Sequence, residues 1–119
     1  MTRSELETEF VSAALGWVER DLEMTDSEIG DTLGVDQGTV RRWRNREGAP
    51  TREQRKRLRK LMQLKWLVEN SFRTTGHGKR WLHQPVPALT NHTPISRLLD
   101  GDIDGVLCAL GTHAAGAFV

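Results

Sequence analysis

Between Thr25 and Arg46 the chain reads TDSEIGDTLGVDQGTVRRWRNR, and the groups there able to do chemistry are hydrogen-bond donors: Gln37, Thr39, Arg41, Arg42, Arg44, Asn45 and Arg46. Arginine forks onto guanine O6 and N7 or onto a phosphate, glutamine and asparagine read adenine, and a threonine methyl meets the methyl of thymine. Gly38 falls among the same outward positions, and Arg52 opens a further basic turn downstream. Spaced along one short helix, this set fits duplex DNA. A run of arginines is more often only a solvated face. The surrounding residues decide between the two.

Two short helices that cross steeply need apolar residues, a small residue and a turn glycine at fixed offsets. Ile29 and Leu33 stand one helical turn apart, Gly30 leaves room for a close approach, and Gly34 can take the positive φ of a turn. Val35, Val40 and Trp43 supply the buried side of the second helix. Thr25 with Glu28 makes a capping box, and Asp36 caps the second helix, which therefore begins near Gln37. Ile29, Leu33, Val40 and Trp43 build this helix-turn-helix without touching DNA. Turn, caps and arginines together favour DNA over a plain charged face.

The chain has 119 residues, 37% hydrophobic and 28% charged, enough for one compact domain or two very small ones sharing a core. Its net charge of +1 conceals a separation. Met1 to Asp36 holds two basic and ten acidic residues, whereas Gly38 to Lys60 holds ten basic and two acidic. Phosphates respond to the local field within a Debye length of roughly 8–10 Å, so the near-neutral total does not argue against nucleic acid.

No apolar run approaches the roughly 20 residues of a membrane span, and MTRSELETEF is acidic where a signal peptide is basic and then apolar. A cytoplasmic location is expected. The lone Cys108, within VLCAL, reads as a small buried side chain. His77, His83, His92 and His113 lack the paired spacing of a zinc site, so neither metal nor cofactor is expected.

From Ser4 to about Glu23 two apolar stripes, Leu6, Phe10, Ala13, Trp17 and Val11, Leu15, Val18, Leu22, predict an amphipathic helix with a broad buried face. Gly16 inside it costs about 1 kcal/mol relative to alanine and suggests close approach by another helix. Gly48 and Pro50 stop the second motif helix. Thr51 caps a long helix to about Phe72, with Leu58, Leu61, Leu64, Val68 and Phe72 on one stripe and Met62 and Trp66 beside it. Its first turns are basic and its second half apolar, which suits a helix that flanks phosphates at one end and joins two lobes at the other. Thr74 to Lys79, TTGHGK, reads as a Gly-rich connector and domain boundary; it lacks the GxxxxGK[ST] spacing of a phosphate-binding loop.

Beyond it lie Trp81 and Leu82, a proline-bracketed loop, and a short helix capped by Thr93 with Pro94 at its first position. Asp100 and Gly101 interrupt that helix, and Ile103, Val106, Leu107 and Leu110 mark a final one that Gly111 ends. This segment resembles the toxin-binding domain of the Xre/MbcA/ParS-like antitoxins. Their pattern is a Trp-Leu pair (Trp81, Leu82), a Pro-x-Pro-x-Leu loop (Pro85 to Leu89), Thr-Pro (Thr93, Pro94), a Leu-Leu-x-Gly step (Leu98 to Gly101) and a Val-Leu-x-x-Leu helix (Val106 to Leu110). With the helix-turn-helix in front, the resemblance covers nearly the whole chain. One departure is Thr90, Asn91 and His92, where the family commonly has a glycine after the loop leucine.

The resemblance implies a type II antitoxin whose partner is a RES-domain toxin that consumes NAD. It implies docking by the C-terminal region, with the chain end, Gly111 to Val119, at the toxin's active-site entrance. Candidate toxin contacts are Trp81, Leu82, Thr112, His113, Ala114, Ala115, Phe118 and Val119. For Trp81 and Leu82, burial in the core is at least as good a reading.

The expected protein is all-α: a helix-turn-helix DNA-binding domain over residues 1–73, joined by the long helix to a small helical toxin-binding domain over 74–119. Its expected partners are the toxin, double-stranded operator DNA and a second copy, since a two-fold DNA site requires a dimer. A higher toxin–antitoxin complex is compatible with this. The rival is a stand-alone transcription regulator whose C-terminal lobe binds a ligand or only dimerises. No nucleophile, base and orienting group converge in the sequence, so an enzyme ranks last.

Overall fold

Each helix begins where a short polar side chain can accept an orphan amide hydrogen. Thr2, Thr25 and Thr51 form capping boxes with Glu5, Glu28 and Gln54, and so open α1 (Arg3–Arg20), α2 (Asp26–Leu33) and α4 (Arg52–Ser71). Asp36, Thr74 and Thr93 cap α3 (Gln37–Arg44), α5 (Thr75–Leu82) and α6 (Pro94–Leu99), while Asp102 accepts from the Gly105 amide at the start of α7 (Ile103–Gly116). A 3₁₀ turn spans Pro87–Leu89. The computed structural model describes residues 2–116, with the side chains at 3, 4 and 113–116 left aside. Among the described residues the fold is all-α, a single antiparallel bridge between Val86 and His92 being the one extended pairing.

Helix α4 is central: it touches α1 and α2 on one side and α5 and α7 on the other. Leu58, Leu61 and Leu64 are fully buried along it, between Val18, Ile29 and Leu33 of the N-terminal helices and Val106 and Leu110 of α7. Residues 1–73 and 74–119 also meet where α2 packs on α6. Leu98 of α6 lies in the same hydrophobic cluster.

Six local expectations change. The connector at Thr74–Lys79 is the first half of α5, and Gly78 is buried because a Cβ there would stand 2.8 Å from the Val68 side chain. Its glycine serves close packing of α5 on α4 rather than flexibility. A Cβ on Gly16 would meet only the Arg20 guanidinium of its own helix, so no neighbouring helix explains it. Of the first α1 stripe, Leu6 and Ala13 are exposed, because α1 covers the core with Val11, Ala14, Leu15, Trp17 and Val18, with Phe10 half-buried at its edge. Helix α1 stops at Arg20, short of Glu23, whose φ of +55° reverses the chain. Cys108 is exposed, not buried: it lies about 200° round the helix from the inward Val106. Gly111 does not end α7, which continues to Gly116.

Candidate functional site

The α2–α3 corner has the geometry its residue types demand. Gly34 has φ +70°, and a Cβ on Gly30 would lie 2.5 Å from the Val35 carbonyl oxygen, so the turn passes directly over this glycine. Ile29, Leu33, Val40 and Trp43 are buried. Arg57 of α4 donates to the Leu33 carbonyl at 3.1 Å and ties off the end of α2. At its far end α3 closes with Arg46 at φ +61°, its amide bonded to the Trp43 carbonyl and the Glu47 amide to the Arg42 carbonyl. That is a Schellman closure made with arginine where glycine is usual.

Gln37, Arg41, Arg42, Arg44, Asn45 and Arg46 are exposed, and Gly38 and Thr39 are half-buried. The arginines differ in what holds them. Thr39 donates its amide to Asp36 at 2.8 Å, and Arg42 in turn donates to the Thr39 hydroxyl at 2.9 Å, which orients Arg42 along the helix. Arg44 is held by Asp26, at 3.0 Å through Nη1, and by Glu19 at 3.3 Å. Arg46 pairs with Glu9 at 3.4 Å and Arg55 with Glu7 at 3.2 Å. The acidic and basic blocks of the sequence thus fold onto one another. Arg41, Arg52 and Arg59 are exposed and make no hydrogen bond or ion pair among the described residues, and Arg41 lies near enough to Asp26 to favour its carboxylate.

The hydrogen bond from Arg44 holds the Asp26 carboxyl below its ordinary value of 3.8, and the same contact raises the Arg44 guanidinium. The Thr39 hydroxyl does likewise for Asp36. A carboxylate depressed in the folded state stabilises it above the unfolded pKa, and that stabilisation is lost as pH falls through the folded value. Thermal unfolding followed by circular dichroism should therefore show Tm dropping once pH falls below 3.8. Asp26→Asn should have a lower Tm at neutral pH, by the small step of a half-exposed pair worth about 0.2–1 kcal/mol. The two proteins should converge in acid; a gap that persists there would assign the loss to something other than the Arg44 pair.

At the opposite end of the molecule, Trp81 and Leu82 are buried at 7% and 1% exposure, with the Trp81 ring tilted against Phe72 at a centroid distance of 6.1 Å. The edge of Trp81 reaches a shallow groove of about 360 Å³ formed by Gln84, Pro85, Val86, Pro87 and Ala88 on one side and Ala109 and Thr112 of α7 on the other. Thr90 and Asn91 both lie in the left-handed region, at φ +53° and +64°. Arg97 of α6 donates to the Thr90 hydroxyl at 2.9 Å. At the glycine position of the antitoxin pattern, a threonine takes glycine's backbone conformation and a neighbouring arginine holds it there.

The resemblance gave Trp81, Leu82 and Thr112 as candidate toxin contacts; Trp81 and Thr112 line this groove, and Leu82 is buried in the core. Sequence reasoning passed over Gln84, Ala88 and Ala109, which only the packing of the loop on α7 brings to one groove. The side chains of His113, Ala114 and Ala115 lie outside the described residues, as do Phe118 and Val119 entirely. No group of three or more His, Cys, Asp or Glu side chains that could hold a metal occurs among the described residues. No described helix is long and apolar enough to cross a membrane.

No family model and no curated protein matches the chain. Among solved structures, a chain in the crystal structure of the M.tuberculosis MbcT-MbcA toxin-antitoxin complex matches with a TM-score of 0.61 and 23% identity, over 91% of this chain and 96% of that one. The likeness is one of fold.

Proposed function

We propose that this chain is the antitoxin of a type II toxin–antitoxin system. It binds and neutralises its toxin through the C-terminal lobe, residues 74–119, and represses its own promoter through the helix-turn-helix lobe, residues 1–73. The observation that carries this reading is the fold match over 91% of the chain to a component of a toxin–antitoxin complex. Three motifs of the Xre/MbcA/ParS-like pattern support it, since they meet here at one groove: Trp81, the Pro85 and Pro87 loop, and the Ala109 face of α7. The same resemblance names the partner as a NAD-degrading RES-domain toxin in the cytoplasm. The chain end beyond Thr112 then covers the toxin's active site. The acidic pairing of Arg44 and Arg46 narrows the DNA-reading set to Gln37, Gly38, Thr39, Arg41 and Arg42 on α3 and Asn45 at its C-cap, with Arg52 on the flank.

Co-expression with a RES-domain toxin is the test. The full chain restores growth, whereas deletion of Thr112 to Val119 abolishes rescue and leaves the helical circular dichroism spectrum and Tm nearly unchanged. The deletion spares the buried residues of α7, Ile103, Val106, Ala109 and Leu110, and removes only the helix end. Rescue by the truncated chain would favour the rival, a stand-alone regulator whose C-terminal lobe serves another purpose.

A further inference from the structure

We infer that Thr39 is a positioning residue for DNA specificity: its hydroxyl, fixed by Asp36, sets the Arg42 guanidinium over the first turn of α3 to read one guanine. The inference deepens the DNA reading above and rests on it. Chemistry forces the direction of the hydrogen bonds. A carboxylate only accepts and a guanidinium only donates, so the Thr39 hydroxyl gives its hydrogen to Asp36 Oδ1 and turns a lone pair to Arg42. Arg42 Nη2 reaches that lone pair at 2.9 Å. A Cβ on Gly38 would lie 3.7 Å from Arg42 Nη1, which places the guanidinium back over the helix start, one turn before its own Cα. Glycine at 38 leaves that path open.

Capping alone does not require this arrangement. The bond from the Thr39 amide to Asp36 at 2.8 Å already satisfies the helix start, and the hydroxyl bond and the arginine are additional to it. The other anchored arginines show the alternative. Arg44, Arg46 and Arg55 each end directly on a carboxylate, within 3.4 Å. Between Arg42 and Asp36 a neutral hydroxyl intervenes, so the guanidinium is aimed without being ion-paired. It spends one N–H on Thr39 and keeps the others, enough for the fork onto guanine O6 and N7. In a helix-turn-helix the N-terminal residues of the second helix meet base edges, and that is the turn over which Arg42 is held. A guanidinium set in place beforehand also loses less rotamer freedom on binding.

A pool of randomised duplexes, enriched on the full chain and sequenced, gives the preference at each base pair. Arg42→Ala should lose a guanine preference of roughly tenfold at one position. Thr39→Val keeps the methyl and the branched shape without the hydroxyl, and should lose most of that same preference, whereas Thr39→Ser should retain it. Neither substitution changes a charge, so affinity for an unselected duplex and its salt slope should stay at the parent values. The double variant Thr39→Val with Arg42→Ala should discriminate no worse than Arg42→Ala alone, because the two residues act as one unit. Thr39 is half-buried and its amide still reaches Asp36, so Tm should hold in both Thr39 variants. Parent-level guanine preference in Thr39→Val overturns the inference, as does a loss at a base pair other than that of Arg42. Loss in Thr39→Ser with retention in Thr39→Val overturns it in favour of direct contact between the threonine methyl and thymine. A Thr39→Val protein with lowered Tm and weaker binding to the unselected duplex overturns it in favour of a structural role. If the parent chain enriches no sequence, the DNA reading fails and this inference with it; if the parent enriches one and Thr39→Val enriches the same, this inference alone fails.

Discussion

Replacing Arg41 and Arg42 together by alanine should lower operator affinity by roughly 30-fold or more, from ~1–3 kcal/mol per arginine, and reduce the salt slope of binding by about two. These two side chains sit on the exposed face of α3, and neither forms an ion pair with a carboxylate among the described residues. Arg41 makes no hydrogen bond or ion pair among the described residues, and Arg42 is steered by the Asp36–Thr39 chain of hydrogen bonds. Arg44 provides the contrast: with Asp26 and Glu19 already on its guanidinium, Arg44→Ala should lower Tm and leave the salt slope nearly unchanged. Fluorescence anisotropy over a series of salt concentrations, with Tm measured on each variant, separates the two kinds of loss. An unchanged slope in the double variant, or a larger change in Arg44→Ala, would remove α3 from the DNA surface as assigned.

That contrast also shows why a charge count along the chain overstated the basic footprint. The acidic block and the basic block are far apart in sequence, but α1 packs beside α3 and α4. Glu7, Glu9 and Glu19 then reach Arg55, Arg46 and Arg44 across the helix boundaries. A linear tally carries no information about which charges meet.

What was legible had local causes. Thr25 with Glu28, and Asp36 before Gln37, placed the motif helices correctly because a cap acts within three residues of itself. The offsets Ile29 to Leu33 and Val40 to Trp43 were readable because one helical turn decides which side they share. Illegible features had remote causes. Gly78 looked like a hinge, since nothing in TTGHGK announces that Val68 of a different helix presses against it. Cys108 looked buried because its neighbours are apolar, although the inward face of α7 is set by Val106 and Leu110 and leaves position 108 opposite. The groove beside Trp81 was illegible for the same reason, as its walls are a loop and a helix joined only by tertiary packing.

Trp81→Ala should lower stability by about 3–5 kcal/mol, the cost of emptying a buried aromatic site. Against the 5–15 kcal/mol that holds a typical domain together, such a loss removes a large share of the stability and, at the low end of that range, leaves a substantial fraction of the chain unfolded. Trp81 is 7% exposed, rests against Phe72 and closes α5 onto the core beside Leu82, while only its edge reaches the groove. The variant should therefore fail to neutralise toxin for a reason unrelated to any contact with it. Trp81→Phe keeps an aromatic ring in the site and should recover most of the Tm. If rescue of growth returns with Tm, Trp81 acts by shaping the groove; if Tm returns and rescue does not, its exposed edge is itself a toxin contact. Thermal denaturation and the co-expression assay on the same pair of variants give the answer, and a Trp81→Ala protein as stable as the parent would contradict the burial on which the expectation rests.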